Sequence, residues 1–329
     1  MKEVNTINSI ALSLLIIFST VFLSINNREI MTTKITINKG MTLNAVIDLL
    51  HENNLIVNKN VLKGKIVVRG LASKVPAGTF LIQGKVSDAK LIDIIFNKGP
   101  IKLKLTIPEG TSSKKIFENI NLLLNTDYQF DDLFTKKSIL SKYNINGSSL
   151  EGYLYPNTYY FYYDTSPEDI INTFVSQFWK KFDEDLVDQA NKLGLSVHEV
   201  VTLASIIEGE AMLDSERSTI SSVYHNRLKI NMKLQADPTI QYIIKGPPKT
   251  LSIRDLKIKS PYNTYQNYGL PPGPINNPGI KSIKAALYPL ETNYLFFVAQ
   301  GDGSHAFTTN ETDHEAAKRL YKINKRKNR

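Results

Sequence analysis

The sequence contains no cysteine, and this absence excludes several kinds of site at once. Disulfide bonds, thiolate metal ligands, a thiol nucleophile and an acylated lipoprotein cysteine are all ruled out. Histidine is also scarce, with five residues in 329 and no paired spacing such as H-E-x-x-H. A catalytic zinc site therefore has little sequence support, and we predict neither a metal nor another cofactor.

The chain also has little net charge once its last residues are set apart. The formal net charge is +9, but residues 318–329 hold seven of the 40 basic side chains. Residues 1–317 carry 33 basic against 31 acidic side chains, whereas binding to duplex nucleic acid requires Lys and Arg clustered in a folded domain. Nucleic acid is therefore not a predicted partner, and the basic C-terminal tail is interpreted as a solvated end.

One long hydrophobic segment stands near the N-terminus. No charged residue occurs from Val4 to Asn27, and residues 7–25 are mostly apolar. At about 1.5 Å per helical residue, this span approaches the ~30 Å hydrocarbon thickness of a bilayer. A cleaved signal peptide is the alternative, but no clear A-x-A-like small-residue pair follows the apolar run. We therefore predict a single-pass membrane anchor over residues 1–28, whose flanking charges leave its sidedness open.

The residues after the anchor predict a small α+β module over residues 33–100. Its first part, residues 35–56, reads as a strand, a turn at Lys39-Gly40 and a helix with apolar positions at helical spacing. The opening pattern T-I-x-x-G-x-[TS] recurs at residues 106–112. The recurrence indicates a second strand–turn–helix unit, although two copies of so short a pattern also arise by chance.

The rest of the chain extends this α+β pattern. A short strand pair is indicated around Gly78 and Gly84, followed by an amphipathic helix from about Asp88 to Phe96. Residues 101–329 then form a larger domain that ends in the basic tail. The predicted fold class is therefore α+β, with an N-terminal transmembrane helix, a small α+β module and a larger α+β domain.

The strongest helix signal lies in this larger domain. The capping-box pattern S-V-H-E at residues 196–199 predicts a helix that begins near Val197. At about 100° per residue, Glu208 falls near the middle of an apolar side, whereas Glu199 and Glu210 fall nearly opposite and should face water. A carboxyl group placed against apolar surface is able to stay protonated near neutral pH and to donate a proton. Glu208 is therefore the candidate general acid.

Several segments in and after this helix are similar in sequence to one known protein family. Residues 203–238, 260–279 and 294–307, which begin LASIIEGEAM, SPYNTYQNYG and YLFFVAQGDG, resemble the endolytic murein transglycosylase family, also called MltG or YceG-like. The segments LTIPEGT and LEGYLYPNTY are similar to other motifs of that family. The segment ITINKGMTL looks like its LysM-like N-terminal part, which assigns the predicted module at 33–100 to that type.

The resemblance carries expectations about activity and location. It implies a lytic transglycosylase with Glu208 as the catalytic residue in A-S-I-I-E, a peptidoglycan substrate, and a catalytic domain that faces the periplasm from the inner membrane. It also implies peptidoglycan synthases as partners. Two positions depart from the family pattern: Gly209 stands where Lys is usual, and Asn157 where Asp is usual.

The implied reaction needs one carboxyl group only. The C6 hydroxyl of the muramoyl sugar is the nucleophile, so one Glu first protonates the glycosidic oxygen and then accepts the hydroxyl proton, which leaves a 1,6-anhydro end. A hydrolase of the common kind needs a second carboxylate about 5–9.5 Å from the first. Two alternatives stay open: a hydrolytic muramidase with Asp237 or Glu151 as that carboxylate, and a non-catalytic glycan-binding scaffold.

Polar side chains in the same segments are candidates for orienting sugar amides and hydroxyls: Asn226, Gln235, Asp237, Asn263 and Tyr265. Their alternative use is in caps and turn contacts. The run GLPPGPINNPG at residues 269–279 cannot continue a helix or a central strand. It is interpreted as an ordered loop that forms one wall of the cleft, with a purely connecting loop as the alternative.

Overall fold

The computed structural model describes residues 28–244, 246–247 and 249–327. The predicted apolar span at 7–25 lies outside the described residues, and among those described no helix has the length and apolar character needed to cross a membrane. The chain divides into two compact units. The first runs to Lys104 and includes Tyr160–Thr165, and the second comprises Leu105–Tyr159 and the residues from Ser166 onward.

The first unit contains a pair of long antiparallel strands. β1 (Arg28–Ile37) pairs with β2 (Gly78–Val86), and Ile37 lies opposite Gly78. Apolar side chains of both strands face inward, because residues two apart share a face of a sheet. Those that are buried are Ile35, Ile37, Phe80, Ile82 and Val86.

The two glycines of the predicted strand pair lie in one strand. Gly78 and Gly84 both belong to β2, whose partner is β1, so the predicted strand pair around them is wrong. Gly84 has a φ of 73° and stands where the pairing slips between Ile30 and Thr33 of β1. Glycine is favoured at a bulge as well as in a turn, and the sequence pattern does not distinguish the two.

Helices complete the first unit. α1 (Leu43–Glu52) and α2 (Lys59–Val68) lie between the two strands in the chain, and α3 (Asp88–Ile92) continues into a π-helical turn (Asp93–Lys98). The helices predicted within 35–56 and from Asp88 to Phe96 are thus confirmed. Their apolar faces join the strands in one core, with these helical side chains buried: Val46, Ile47, Leu50, Leu62, Ile66, Leu91 and Ile92.

The second unit is mainly helical. The strands that follow in the chain are β3 (Lys102–Thr106) and β4 (Thr158–Tyr162), which form a two-stranded sheet, and the hairpin β5 (Phe296–Ala299) and β6 (His305–Thr308). Short 3-10 turns span Asp214–Glu216 and Asp255–Lys257. The helices are α4 (Ser113–Leu124), α5 (Asp131–Phe134), α6 (Lys137–Lys142), α7 (Pro167–Lys181), α8 (Glu184–Lys192), α9 (Val197–Glu210), α10 (Arg217–Lys229), α11 (Asp237–Ile243), α12 (Ile280–Leu287) and α13 (Glu311–Lys327). The fold is therefore α+β, and the basic tail, interpreted as a solvated end, continues α13 as far as Lys327.

Helix α9 forms the centre of the second unit. It begins at Val197 as predicted, and its capping box is complete: Ser196 accepts from the Glu199 backbone N–H, and the Glu199 carboxylate accepts from Ser196 N at 2.8 Å. Every residue from Val200 to Ile207 is buried, so the helix is enclosed on all sides rather than on one apolar face. A helix that is apolar all round belongs in a core, and α9 packs chiefly against α12.

Both copies of the repeated pattern form a strand, a turn and a helix. Gly40 and Gly110 occupy the same place in the turn, with φ of 86° and 75°. Glycine reaches this left-handed region without the penalty that a Cβ brings. Thr42 and Ser112 then cap α1 and α4 through their side-chain oxygens.

The Pro- and Gly-rich run at 269–279 is an ordered loop without helix, as predicted. It lies against α9, where Ser205 Oγ accepts from Ile275 N at 3.0 Å and Ser205 O accepts from Asn276 Nδ2 at 2.8 Å. Asn277 forms a β-bridge with Thr111 in the turn of the second repeat. The loop therefore joins the end of α9 to that turn, which explains why it is ordered.

Candidate active site

Glu208 lies in the last turn of α9, and its side chain is only 6% exposed. One carboxylate oxygen accepts from Arg217 Nη1 at 3.1 Å, and the other accepts from the backbone N–H of Gly279 at 3.0 Å. Arg217 begins α10 and Gly279 precedes α12, so three helix ends meet at this carboxylate. The expected apolar environment of Glu208 is therefore wrong, because the carboxylate sits in a charged, hydrogen-bonded setting.

Arg217 is held as firmly as the carboxylate that it binds. Its guanidinium donates to Asp214 Oδ1 at 3.0 Å and to Ser282 Oγ at 2.5 Å, and Lys281 binds Asp214 in turn. Burial lowers the pKa of Arg217, but the hydrogen bond to Asp214 and the charges of Glu208 and Asp214 outweigh burial, so the pKa is raised overall. Arg217 is therefore a fixed positive charge beside Glu208.

The turn of the second repeat brings another carboxyl group to this place. Gly110 N donates to Asn277 O at 2.9 Å, and Asn277 N donates to Thr111 O at 3.1 Å, so the turn is tied to the 269–279 loop. A Cβ built on Gly110 would lie 3.5 Å from Glu208 Cγ. A Cβ built on Gly279 would lie 1.9 Å from Glu109 Oε1, so the Glu109 carboxylate occupies the space that the missing side chain leaves.

The charges around Glu109 change its titration. Desolvation by burial raises its pKa, the charge of Glu208 raises it further, and Arg217 and Lys281 act in the opposite direction. Tyr155, which is buried, has its own pKa raised first by burial and then by Glu109, and accepts a hydrogen bond from the backbone of Ile280. Glu109 thus shares a site with Glu208.

Glu210 is only partly exposed and its carboxylate binds other residues, so the prediction that it faces water is wrong. Its carboxylate accepts from the hydroxyl of Tyr224 at 2.9 Å and from the backbone of Asp237. Burial raises the pKa of Glu210 to about 7, and the nearby charge of Asp237 contributes to the rise, while Tyr224 and Arg227 oppose it. The helical count places Glu210 away from Glu208 correctly, but α10 and α11 cover that side of α9 as well.

The predicted substrate-binding residues are spread over several places. Asp237 is exposed and accepts from the Tyr265 hydroxyl at 2.5 Å, and Gln235 is also exposed, with a left-handed φ of 47°. The Asn226 amide donates to two backbone carbonyls, and that of buried Asn263 donates to two others. The two asparagines have the structural use named as the alternative, and sugar binding by all five residues stays a prediction.

Glu151, named as a second carboxylate of a hydrolase, has a structural setting. Its side chain is buried, and Oε1 accepts from Ser113 N and Oγ, both at 2.9 Å, and from Asn277 Nδ2 at 3.1 Å. Burial raises its pKa to about 7 against the lowering effect of these hydrogen bonds. The carboxyl group beside Glu208 is instead Glu109.

Gly209 and Asn157, the two positions where we expect a departure from the family pattern, have defined contacts in the structure. A Cβ built on Gly209 would lie 2.6 Å from Pro238 Cβ, so any larger residue requires α11 to move away from α9. Asn157 accepts from Ile107 N through its backbone carbonyl at 2.9 Å and from Thr158 N through its side chain at 2.8 Å. Gly209 therefore permits the close approach of Pro238, and Asn157 supports the strand that leads to the Glu109 turn.

Three residues of the site escaped the sequence predictions: Glu109, Arg217 and Gly279. Each lies inside a motif that the sequence displays, namely IPEG, SERS and NNPG. No periodicity links them to Glu208, because the contacts arise from separate turns that meet in space. The motifs themselves were the available signal, since each carries a charge or a glycine at the position that touches Glu208 or Glu109.

A buried carboxylate fixed by an arginine and a backbone N–H, with a second carboxyl group beside it, is equipped for acid–base chemistry. Comparison with known proteins agrees with an enzyme that uses acid–base chemistry. The YceG-like family matches residues 35–320, and the chain belongs to that family.

Individual relatives give the same result. The chain is 34% identical over 310 residues to the endolytic murein transglycosylase of Bacillus subtilis (strain 168), which covers 88% of this chain and 85% of the relative. It is 28% identical to the endolytic murein transglycosylase of Streptococcus pneumoniae over 73% of this chain and 49% of that protein. The crystal structure of a putative YceG-like protein from Listeria monocytogenes superposes with a TM-score of 0.63 at 30% identity, and covers 87% of this chain and 98% of that one.

Proposed function

We propose that this protein is an endolytic peptidoglycan lytic transglycosylase, which cleaves the MurNAc–GlcNAc bond within nascent glycan strands and leaves 1,6-anhydro-MurNAc ends. The observation that carries the proposal is the Glu208 carboxylate, held by Arg217 and the Gly279 N–H at the place where three helix ends meet. Membership of the YceG-like family and the names of the relatives support the substrate class.

Glu208 is the proposed catalytic residue. In the first step a proton passes to the glycosidic oxygen as its bond to C1 of the muramoyl sugar breaks. In the second step the C6 hydroxyl bonds to C1, and its proton returns to the protein. Arg217 and the Gly279 N–H fix the orientation of the carboxylate, so little reorganisation accompanies either transfer.

The same proposal extends to the location, the glycan-binding module and the partners of the protein. Residues 7–25 anchor the protein in the inner membrane, and the second unit acts in the periplasm. The first unit is a LysM-like module that engages the glycan, since its two helices lie between two paired strands in the chain. Peptidoglycan synthases are the proposed partners, because cleavage of a nascent strand ends its elongation.

The hydrolytic alternative keeps one specific observation in its favour. A second carboxyl group, Glu109, lies in the same site as Glu208, as a two-carboxylate hydrolase requires. Product mass separates the two reactions, because an anhydro end is lighter than a reducing end by one water. A scaffold without chemistry would leave glycan uncut.

The test is digestion of purified sacculi by the full-length protein, with mass analysis of the new ends. Wild type is expected to release anhydro ends, and Glu208→Gln to release none, because each lost proton transfer typically costs about 10² to 10⁴ in rate. Because both oxygens of Glu208 accept hydrogen bonds, Gln leaves one donor facing its NH₂ group. Glu208→Asp, which keeps the charge but withdraws the carboxylate, is therefore tested beside it.

The matched control is Glu118→Gln on α4, which removes an exposed carboxylate paired with Lys115 at 3.2 Å. Such surface pairs contribute about 0–1 kcal/mol, so this variant is expected to cut like wild type. Full cleavage by folded Glu208→Gln and Glu208→Asp would contradict the assignment of Glu208. Reducing ends from the wild type would keep the site but change the reaction to hydrolysis.

A further inference from the structure

Glu109 and Glu208 differ in how the protein holds them. Both oxygens of Glu208 have protein donors, and the side chain is almost fully covered. Glu109 is exposed although its carboxylate is partly desolvated, and within the described part of the chain no hydrogen bond holds this carboxylate. Of the two groups, Glu109 is the one placed to reach a ligand.

One residue brings the two carboxyl groups together. The backbone N–H of Gly279 binds Glu208 Oε2, and the side-chain space of the same glycine is filled by Glu109 Oε1. The φ of Gly279 is −77°, which any residue can adopt. Glycine is therefore required here for the space that Glu109 occupies and not for the backbone conformation.

The charges that face Glu109 come from every element around it. They are Glu208 of α9, Arg217 of α10, Asp214 of the 3-10 turn just before α10, Lys281 of α12 and the buried phenol of Tyr155. Burial and Glu208 raise the pKa of Glu109, and Arg217 and Lys281 lower it. Taken together, burial and these charges raise the pKa of Glu109, so its carboxyl group keeps a proton to higher pH than an ordinary glutamate does.

We propose that Glu109 is a second catalytic carboxyl group, which shares one proton with Glu208 and presents that proton to the glycosidic oxygen. This inference rests on the proposed function. The proton leaves the pair as the C1–O bond breaks, and the leaving sugar carries it away on its hydroxyl. The C6 hydroxyl then bonds to C1 and returns one proton to the pair. Glu208, held by Arg217 and the Gly279 N–H, faces the positive charge that develops at C1.

The experiment measures cleavage of sacculi against pH for the full-length protein and its variants, together with the titration of Glu109 by carboxyl ¹³C NMR. Glu109→Gln is expected to lower cleavage near neutral pH by about 10²-fold or more. In this variant, the alkaline limb of the plot of cleavage rate against pH should move to lower pH, because the remaining carboxyl group no longer faces a second negative charge. In Glu208→Gln, the titration midpoint of Glu109 should fall.

Gly279→Ala provides a second route to the same result. Its methyl group occupies the place of Glu109 Oε1, so the exposed side chain must swing away, while the backbone N–H that binds Glu208 is kept. We expect it to reproduce the loss and the pH shift of Glu109→Gln with an unchanged melting temperature. Glu118→Gln serves as the control and should change neither rate nor profile.

The outcomes separate this inference from the proposed function. Wild-type rate and pH profile in Glu109→Gln would overturn the inference and leave Glu208 as the single catalytic residue. A Glu109 midpoint that is equal in wild type and Glu208→Gln would overturn the shared proton whatever the activity. A wild type that does not cut glycan, with a midpoint that falls in Glu208→Gln, would overturn the proposed function and support the carboxyl pair.

Discussion

The two strand–turn–helix repeats have the same local structure and different surroundings. In both, a buried isoleucine lies at the end of the strand or just after it, a left-handed glycine makes the turn, and a hydroxyl side chain caps the helix. A Cβ on Gly40 would meet no atom within 4 Å, whereas one on Gly110 would contact Glu208. The residue before the glycine is Lys39 in the first turn and Glu109 in the second. The local sequence thus determines the conformation of both turns. The second turn belongs to the candidate site only because other segments of the chain pack against it.

An exchange of the two charges would break this comparison most sharply. Glu109→Lys is expected to lower cleavage by at least about 10²-fold, because it removes a carboxyl group and adds a cation beside Arg217 and Lys281. Lys39→Glu should leave cleavage near the wild-type rate, since this side chain is exposed in the first unit. Rates on sacculi at neutral pH measure both variants. Equal losses would mean that the turns have equivalent roles.

The helices that follow the turns start differently. Both helices have a hydroxyl cap, but in α4 the first residue, Ser113, also donates to buried Glu151. Burial raises the pKa of Glu151 in the folded protein to about 7, above the 4.5 of an ordinary glutamate. The folded state therefore binds the proton more tightly. The stabilisation that the protonated Glu151 gives to the folded state is complete below about pH 4.5 and is lost as pH rises through about 7.

Glu151→Gln should remove that part of the pH dependence, because its amide oxygen still accepts from Ser113. The difference in unfolding free energy between pH 5 and pH 8 is expected to shrink by on the order of 1–3 kcal/mol. Denaturant titrations of both proteins at the two pH values measure it. Glu210, whose pKa is also about 7, is present in both proteins, so the comparison isolates Glu151. An unchanged pH dependence would show that burial of Glu151 does not control its protonation.

The glycines offer the smallest and most closely matched test. Gly40→Ala and Gly110→Ala should each lower the free energy of unfolding by about 1–2 kcal/mol, because alanine is strained at a left-handed φ. Only Gly110→Ala should also reduce cleavage, since it shifts the turn that carries Glu109. Denaturant titration and the sacculus assay measure the two effects. A loss of cleavage in Gly40→Ala of the same size would argue against the distinction between the turns.

Much of the fold could be predicted from local patterns. The capping box placed the start of α9 correctly, and helical spacing located α1 and α3, because caps and periodicity act within a few residues. The strand pair around Gly78 and Gly84 was wrong because a glycine at a bulge and a glycine at a turn look alike in sequence. The partner of β2 is β1, more than forty residues earlier, and no local signal names it.

The predictions about the site also divide into those that local patterns supported and those that packing overturned. Glu208 was found from its motif and its place on the helix, yet its environment was predicted as apolar and is charged. Glu210 was expected in water and lies under Tyr224, because α10 and α11 cover a second side of α9. A helical count gives the direction in which a side chain points. It does not say which helix lies in that direction.

The sequence by itself determined the α+β class, the turns and caps of both repeats, and the carboxylate in A-S-I-I-E, since each depends on residues close together in the chain. The tertiary structure alone decided that Arg217, Gly279 and Glu109 meet Glu208. The physical reason is that these contacts join the ends of three helices and one turn, from segments up to 170 residues apart. Their distances are fixed by how the core packs, and packing is a property of the whole chain.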